Sequence, residues 1–138
     1  MAGDDFTLPS PEPSADTRQY WELAKSGHLG LPFCHDCDEF FFYPRGRCPH
    51  CMSRDIEFRE ASGTGTVTSY TTVYRPPVEH LQKQAPYVNA LVELEEGVTM
   101  MTNLMVESED DVQIGMDVSV TFVETDGEYK LPCFTPSN

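Results

Sequence analysis

Cys34-His35-Asp36-Cys37 and Cys48-Pro49-His50-Cys51 place four of the chain's five cysteines in two tight Cys-x-x-Cys pairs, separated by a spacer of ten residues. Four thiolates carried on two turns make a tetrahedral S4 cage, the geometry that soft-ligand zinc sites require. The spacer is shorter than the roughly 15–20 residues common in such patterns, so the connecting loop must be compact. Two disulfides in a secreted domain would use the same residues. Against that reading stand the absence of a basic-then-apolar leader and the fifth cysteine, Cys133. Iron in a rubredoxin-like site also takes four thiolates, and ligand type alone does not separate it from zinc. A cage closed by Cys34, Cys37, Cys48 and Cys51 keeps no open position for water or substrate, so the expected role is structural. His35 and His50 are then expected to be exposed loop residues, because the ligand shell is complete without them. The metal would stabilise a segment too small to fold on a core of its own.

Working outward, the chain has 138 residues, 23 of them acidic against 9 Lys and Arg, for a net charge of −14. Nucleic-acid binding draws most of its affinity from phosphate contacts made by clustered basic residues. From Ala61 onward the only such residues are Arg75, Lys83 and Lys130, which disfavours that class of function. The remaining basic residues are concentrated: Arg45, Arg47, Arg54 and Arg59 fall within fifteen positions around the second cysteine pair. They either solvate the ribbon surface or form a local contact for an anion or partner. No window approaches the ~18 apolar residues of a membrane span. Free cysteines beside a metal cage point to a reducing cytoplasm.

Residues 1–15, with Pro9, Pro11, Pro13 and several acids, read as a disordered tail. Asp16-Thr17-Arg18-Gln19 has the form of a capping box, and Tyr20, Leu23 and Ala24 share a helical face that ends at Gly27. This predicts a helix over about Thr17 to Ser26, within a 16–28 segment. Trp21 lies off that stripe, available either as an interface anchor or for packing on its own domain. The ribbon is expected over 29–60, with Phe40-Phe41-Phe42-Tyr43 as an aromatic strand covering the metal. From 61 to 138 the pattern is of strands. Gly65 to Arg75, Tyr87 to Leu94, Val98 to Met105, Asp117 to Glu124 and Tyr129 to Phe134 are five, with a tight Asp126-Gly127 hairpin before the last. Pro76 to Pro86 and the acidic run Glu107 to Asp111 are expected as loops. Five such strands suit a small closed barrel of OB type, so the predicted fold is mainly β.

A catalytic reading needs a nucleophile with its base, a carboxylate pair or an open metal. The candidates are thin. Ser62-Gly63-Thr64-Gly65-Thr66 lacks the Gly-Lys-Ser/Thr ending of a phosphate loop and is better read as a glycine-bearing entry to the first barrel strand. Cys133 has no adjacent base and is expected to be a small buried residue. His80, with Lys83, reads as a solvated loop histidine. By itself the chain does not look like an enzyme.

The residues also form a recognisable series. In order come Tyr20-Trp21-Glu22-Leu23-Ala24, Phe33-Cys34-His35-Asp36-Cys37, Tyr43-Pro44-Arg45, Cys48-Pro49-His50-Cys51 and the Gly63 to Thr71 strand entry. Pro86-Tyr87-Val88, Leu91-Val92-Glu93-Leu94, Thr102-Asn103-Leu104, Ile114-Gly115-Met116 and Leu131-Pro132-Cys133-Phe134 follow. Over about Arg18 to Phe134 this resembles the zinc-ribbon domain-containing OB-fold family, whose members accompany acyl-CoA enzymes. The resemblance implies an N-terminal helix, a rubredoxin-like zinc ribbon and an OB barrel, with structural zinc on the four cysteines. It further implies a thiolase-superfamily partner (acyltransferase, thiolase or steroid side-chain retro-aldolase) that supplies the catalytic residues within a hetero-oligomer. The chain's part would be complex formation, and Trp21, Arg45, Arg47 and Arg54 are the positions expected to meet the partner or the phosphates of CoA. One departure is Asp38, where the family usually has Gly. A single-stranded nucleic-acid-binding OB module and a free-standing iron electron carrier are the competing expectations. The −14 charge argues against the first, and a colourless protein would exclude the second.

Overall fold

The computed structural model describes residues 10–74 and 87–137. Arg75, the Pro76–Pro86 loop, His80 and Lys83 therefore lie outside the described residues. Among the described residues one α-helix, α1 (Arg18–Lys25), precedes eight strands, β1 (Gly30–Cys34), β2 (Glu39–Phe40), β3 (Ile56–Glu60), β4 (Thr64–Val73), β5 (Tyr87–Leu94), β6 (Thr99–Leu104), β7 (Asp117–Glu124) and β8 (Lys130–Pro136), with a 3-10 turn at Glu109–Asp111 between β6 and β7. The first three strands form a sheet ordered β2-β1-β3, and the last five close into a barrel ordered β4-β5-β6-β8-β7.

The helix ends as its sequence predicts. Gly27 takes a positive φ of 85°, the Gly27 amide donates to the Ala24 carbonyl, and the His28 amide donates to the Leu23 carbonyl. That pair of bonds is the Schellman arrangement, which needs a residue without a Cβ penalty at this position. The other end differs from the expected capping box. Thr17 is the N-cap and makes no side-chain capping bond; instead the Ser14 carbonyl accepts from the amides of Thr17 and Arg18 at 3.3 and 2.9 Å. Of the expected tail, residues 10–15 are described, and the Ser10 amide donates to Asp126 Oδ1 at 2.8 Å. Tyr20 and Ala24 bury the inner face of α1, while Lys25 pairs with Glu128 and the Tyr129 hydroxyl donates to Glu22, holding the helix on the start of β8.

The barrel follows from alternation. In β5, Val88, Ala90, Val92 and Leu94 are buried and face inward, as period-two patterning requires. Val67, Val118, Leu104 and Phe134 complete the same core, and Leu29, Leu31 and Tyr20 join it from the ribbon base and the helix. A register shift between Val67 and Ser69 bends β4 around the barrel, the usual work of a bulge. Closure is made by the parallel pair Leu104 and Phe134, with the Met105 amide donating to the Phe134 carbonyl at 2.7 Å, and by β4 against β7.

Gly65 enters the first barrel strand where there is no room for a side chain. A Cβ there would lie 2.6 Å from Val92 Cγ1 and 2.7 Å from the Glu93 carbonyl oxygen. The carbonyl belongs to the paired strand and cannot swing away, so Gly65→Ala is expected to cost about 1–3 kcal/mol in denaturant unfolding. An unchanged midpoint would show that the strands separate more easily than the ladder suggests.

Two local expectations are corrected. The aromatic run is not one strand, because β2 stops at Phe40 and only Phe41 turns onto the cysteines. Phe40 and Phe42 pack on the main core, and Tyr43 is exposed. The β7–β8 connection is not a two-residue turn either. Its last pair is Glu124 with Lys130, leaving a five-residue loop 125–129, and Gly127 is not among the positive-φ residues that a primed hairpin turn demands.

Candidate functional site

Each cysteine pair sits on a turn whose geometry is fixed by backbone bonds. Cys34 ends β1, and the chain reverses through His35 and Asp36 to Cys37. The second pair is closed by the Met52 amide donating to the Cys48 carbonyl at 2.8 Å and the Cys48 amide donating to the Ser53 carbonyl at 2.9 Å. The residue after each pair is left-handed: Asp38 has φ 55° and Met52 φ 66°. Asp38 and Met52 therefore both adopt a conformation that glycine takes most readily. Short polar side chains tolerate this region, whereas a long apolar one stores more strain.

The four sulfurs converge. Cys34 Sγ lies 3.5 Å from Cys51 Sγ, Cys37 Sγ lies 3.6 Å from Cys48 Sγ, and all four are within 4.8 Å of one another. A tetrahedron with metal–sulfur distances of ~2.3 Å has sulfur–sulfur edges of ~3.8 Å, so the cluster matches a tetrahedral S4 ion. No other group of three or more His, Cys, Asp or Glu donors converges in this way among the described residues. Cys34 and Cys48 are fully buried beneath Phe41 and Ile56, and Cys51 is exposed. The His50 amide donates to Cys48 Sγ at 3.4 Å, the kind of outer bond that orients a thiolate ligand.

Electrostatics asks for a cation. Burial opposes ionisation of Cys34, but the Cys37 amide and the neighbouring thiols outweigh it and bring its pKa down to about 7. Burial pushes Cys37 up instead, and the Cys34, Cys48 and Cys51 sulfurs push it further. One thiolate in this cluster raises the cost of the next, as like charges at this spacing must. A divalent ion is what allows all four to be thiolates together.

The knuckle histidines turn to carboxylates rather than to the sulfurs: His35 Nε2 lies 3.5 Å from Glu57, and His50 Nε2 lies 3.7 Å from Glu39. Of the four clustered arginines, three stay together. Arg45, Arg47 and Arg54 line a cleft of about 580 Å³ with Gly46 and Asp16. Arg59 leaves the group, stacking over the Phe33 ring at 3.8 Å and binding Glu57. Among the described residues, Arg47 and Arg54 form no ion pair, and Arg45 donates only to the Tyr43 carbonyl at 3.2 Å.

Trp21 both packs and lines a surface. Its ring meets Tyr20 edge-to-face at 4.8 Å, and it borders a groove of about 620 Å³ with Tyr43, Arg45 and Met101. Reading the sequence did not single out Met101 or Leu91. The available signal was that both are large and apolar at positions out of phase with the buried alternation of β5 and β6. Cys133 is buried, as expected, and burial raises its thiol pKa to about 11. Gly63 immediately precedes β4 and Gly65 lies at its start, with the Val120 amide donating to the Gly63 carbonyl at 2.7 Å, so that glycine segment is a strand entry. No helix among the described residues is long and apolar enough to cross a membrane.

Helix, four-cysteine ribbon and closed barrel together define a ribbon-plus-OB-fold protein. Residues 21–57 match the family described as ChsH2, rubredoxin-like zinc ribbon domain, and residues 58–123 match ChsH2, C-terminal OB-fold domain. The chain is 39% identical over 99 residues to a DUF35 domain-containing scaffold protein of Methanocaldococcus jannaschii, covering 69% of each. It is 40% identical over 129 residues to a probable enoyl-CoA hydratase alpha subunit of Thermomonospora curvata. That match takes in 94% of this chain and 40% of the relative, so the chain spans two fifths of that protein's length. A solved structure described as the Ltp2-ChsH2(DUF35) aldolase superposes with a TM-score of 0.81 at 39% identity, covering 94% of this chain and all of the other. The chain belongs to the DUF35 family of ribbon-plus-OB-fold proteins.

Proposed function

We propose that this chain is a non-catalytic accessory subunit of a thiolase-superfamily enzyme that acts on acyl-CoA, working as a hetero-oligomer in the cytoplasm. The observation that carries the reading is the likeness, over 94% of this chain, to the structure described as the Ltp2-ChsH2(DUF35) aldolase. The relatives named as hydratase alpha subunits and as scaffold proteins support it. In this reading zinc is bound by Cys34, Cys37, Cys48 and Cys51 and holds the ribbon in shape. A closed S4 shell offers no site for water activation, so the reacting groups belong to the partner. Arg47 and Arg54, which form no ion pair among the described residues, supply donors of the type that grips phosphate, and Arg45 lines both their cleft and the groove. These residues are the candidates for contact with the phosphates of a CoA ester held mainly by the partner.

Co-expression with a thiolase-fold enzyme from the same organism, followed by size-exclusion chromatography, tests the proposal. The expected result is a single co-eluting, colourless complex containing both chains and zinc. Separate elution of two well-folded proteins would contradict it.

A further inference from the structure

The groove beside Trp21 differs from the rest of this acidic surface. It runs between α1, the Tyr43 loop and the outer face of β6, and thirteen residues line it. None is a carboxylate, although a set of that size drawn from this chain would carry about two. Its only charge is Arg45. Large apolar side chains stand exposed there: Met101 is 68% exposed and Tyr43 43%. The face continues past the groove, because Met101 pairs in register with Leu91, itself 37% exposed and on the same outward side of the sheet. Of the other exposed apolar residues, Tyr74 donates to Glu109 and Ile114 follows the acidic Glu107–Asp111 run, while Met52 stands on the second knuckle and Tyr70 on β4.

A half-buried Trp with exposed Tyr, Met and Arg around an uncharged centre is the composition of an interface core, with charge held to the rim. A second copy of this chain is a poor occupant, since it would bring two bodies of net charge −14 together and set Arg45 where no carboxylate meets it. We infer that this carboxylate-free face, centred on Trp21, Tyr43, Leu91 and Met101, is where the partner enzyme docks. The partner meets it with an apolar segment that carries a carboxylate at the Arg45 end. The inference rests on the accessory-subunit reading above and names the surface through which that role is exercised. Arg47 and Arg54, which do not line the groove, remain free for phosphate.

The experiment introduces carboxylates into the face. Leu91→Glu and Met101→Glu change exposed positions on outward sides of strands, so circular dichroism and zinc content are expected to match wild type. Affinity for the thiolase-fold partner, measured by titration calorimetry, is expected to fall more than 100-fold in the double variant and more than 10-fold in Arg45→Glu. Ile114→Glu, at a site 61% exposed but outside the face, is expected to bind as wild type. A double variant that binds within threefold of wild type overturns the assignment while leaving the accessory-subunit reading intact. A wild-type chain that does not bind the partner sinks both. Two further results would give the face to another occupant and overturn the proposal. One is octanoyl-CoA binding to the isolated chain that Met101→Glu abolishes without changing partner affinity. The other is a dimer, seen by sedimentation, that the double variant dissociates with partner binding unchanged.

Discussion

Cys48→Ser is expected to unfold the ribbon and to release the metal. Cys48 is fully buried, its sulfur lies 3.6 Å from that of Cys37, and it accepts from the His50 amide, so a hydroxyl placed there keeps the volume but loses a thiolate. The satellite core around it consists of Cys34, Cys48 and Phe41, with Cys37 and Ile56 packed alongside. That much apolar area cannot offset the conformational entropy of ordering some thirty residues at about 1–2 kcal/mol each. Binding free energies for structural zinc are on the order of 10–16 kcal/mol at neutral pH, and metal loss is therefore felt as loss of folding. Two-dimensional amide spectra of the variant should lose the dispersed resonances of residues 30–60, and zinc content should drop from one equivalent to near zero. Because Leu29 and Leu31 belong to the barrel core, the barrel should survive with a lower melting temperature rather than untouched. A variant with native dispersion and no metal would show that the ribbon stands on packing alone.

Phe134→Ala is expected to cost about 3–5 kcal/mol, the range for emptying a fully buried aromatic site. Phe134 has no exposed surface, and its backbone makes the parallel register with Leu104 that closes the barrel. It belongs to the same buried core as Val67, Val88, Val92 and Val118. A domain of this size holds only about 5–15 kcal/mol in total, so the loss should leave a population that is partly unfolded at 37 °C. Urea denaturation followed by intrinsic fluorescence measures it. A cost below 1 kcal/mol would mean that the barrel collapses around the void.

What could be read from the sequence follows how local each cause is. The cysteine pairs were legible because thiolate chemistry at two turns leaves few options, and their sulfurs do converge. β5 and β7 run over the residues that their alternation predicts, since burial on one face fixes strand bounds. The helix N-terminus was misread because Asp16, which looks like a cap, lies in the arginine cleft while the Ser14 carbonyl serves the free amides. Asp126-Gly127 misled for a related reason: the Thr125 hydroxyl bonds the Tyr129 carbonyl at 2.5 Å and organises a wider loop. The arginines were visible as a cluster in sequence, but Arg59 was lost from it to a cation–π contact that only the β1–β3 register creates. The groove was the least legible feature, because it is assembled from α1, the Tyr43 loop, β5, β6 and β8. No single segment carries its pattern.

In the accessory-subunit reading proposed above, this chain supports chemistry performed in another subunit. The decisive measurement is turnover of an acyl-CoA substrate by the proposed thiolase-fold enzyme alone, by this chain alone and by the purified complex. No turnover is expected from this chain, little from the enzyme alone, and full activity only from the complex. Full activity of the partner in its absence would contradict the account, and so would turnover by this chain alone.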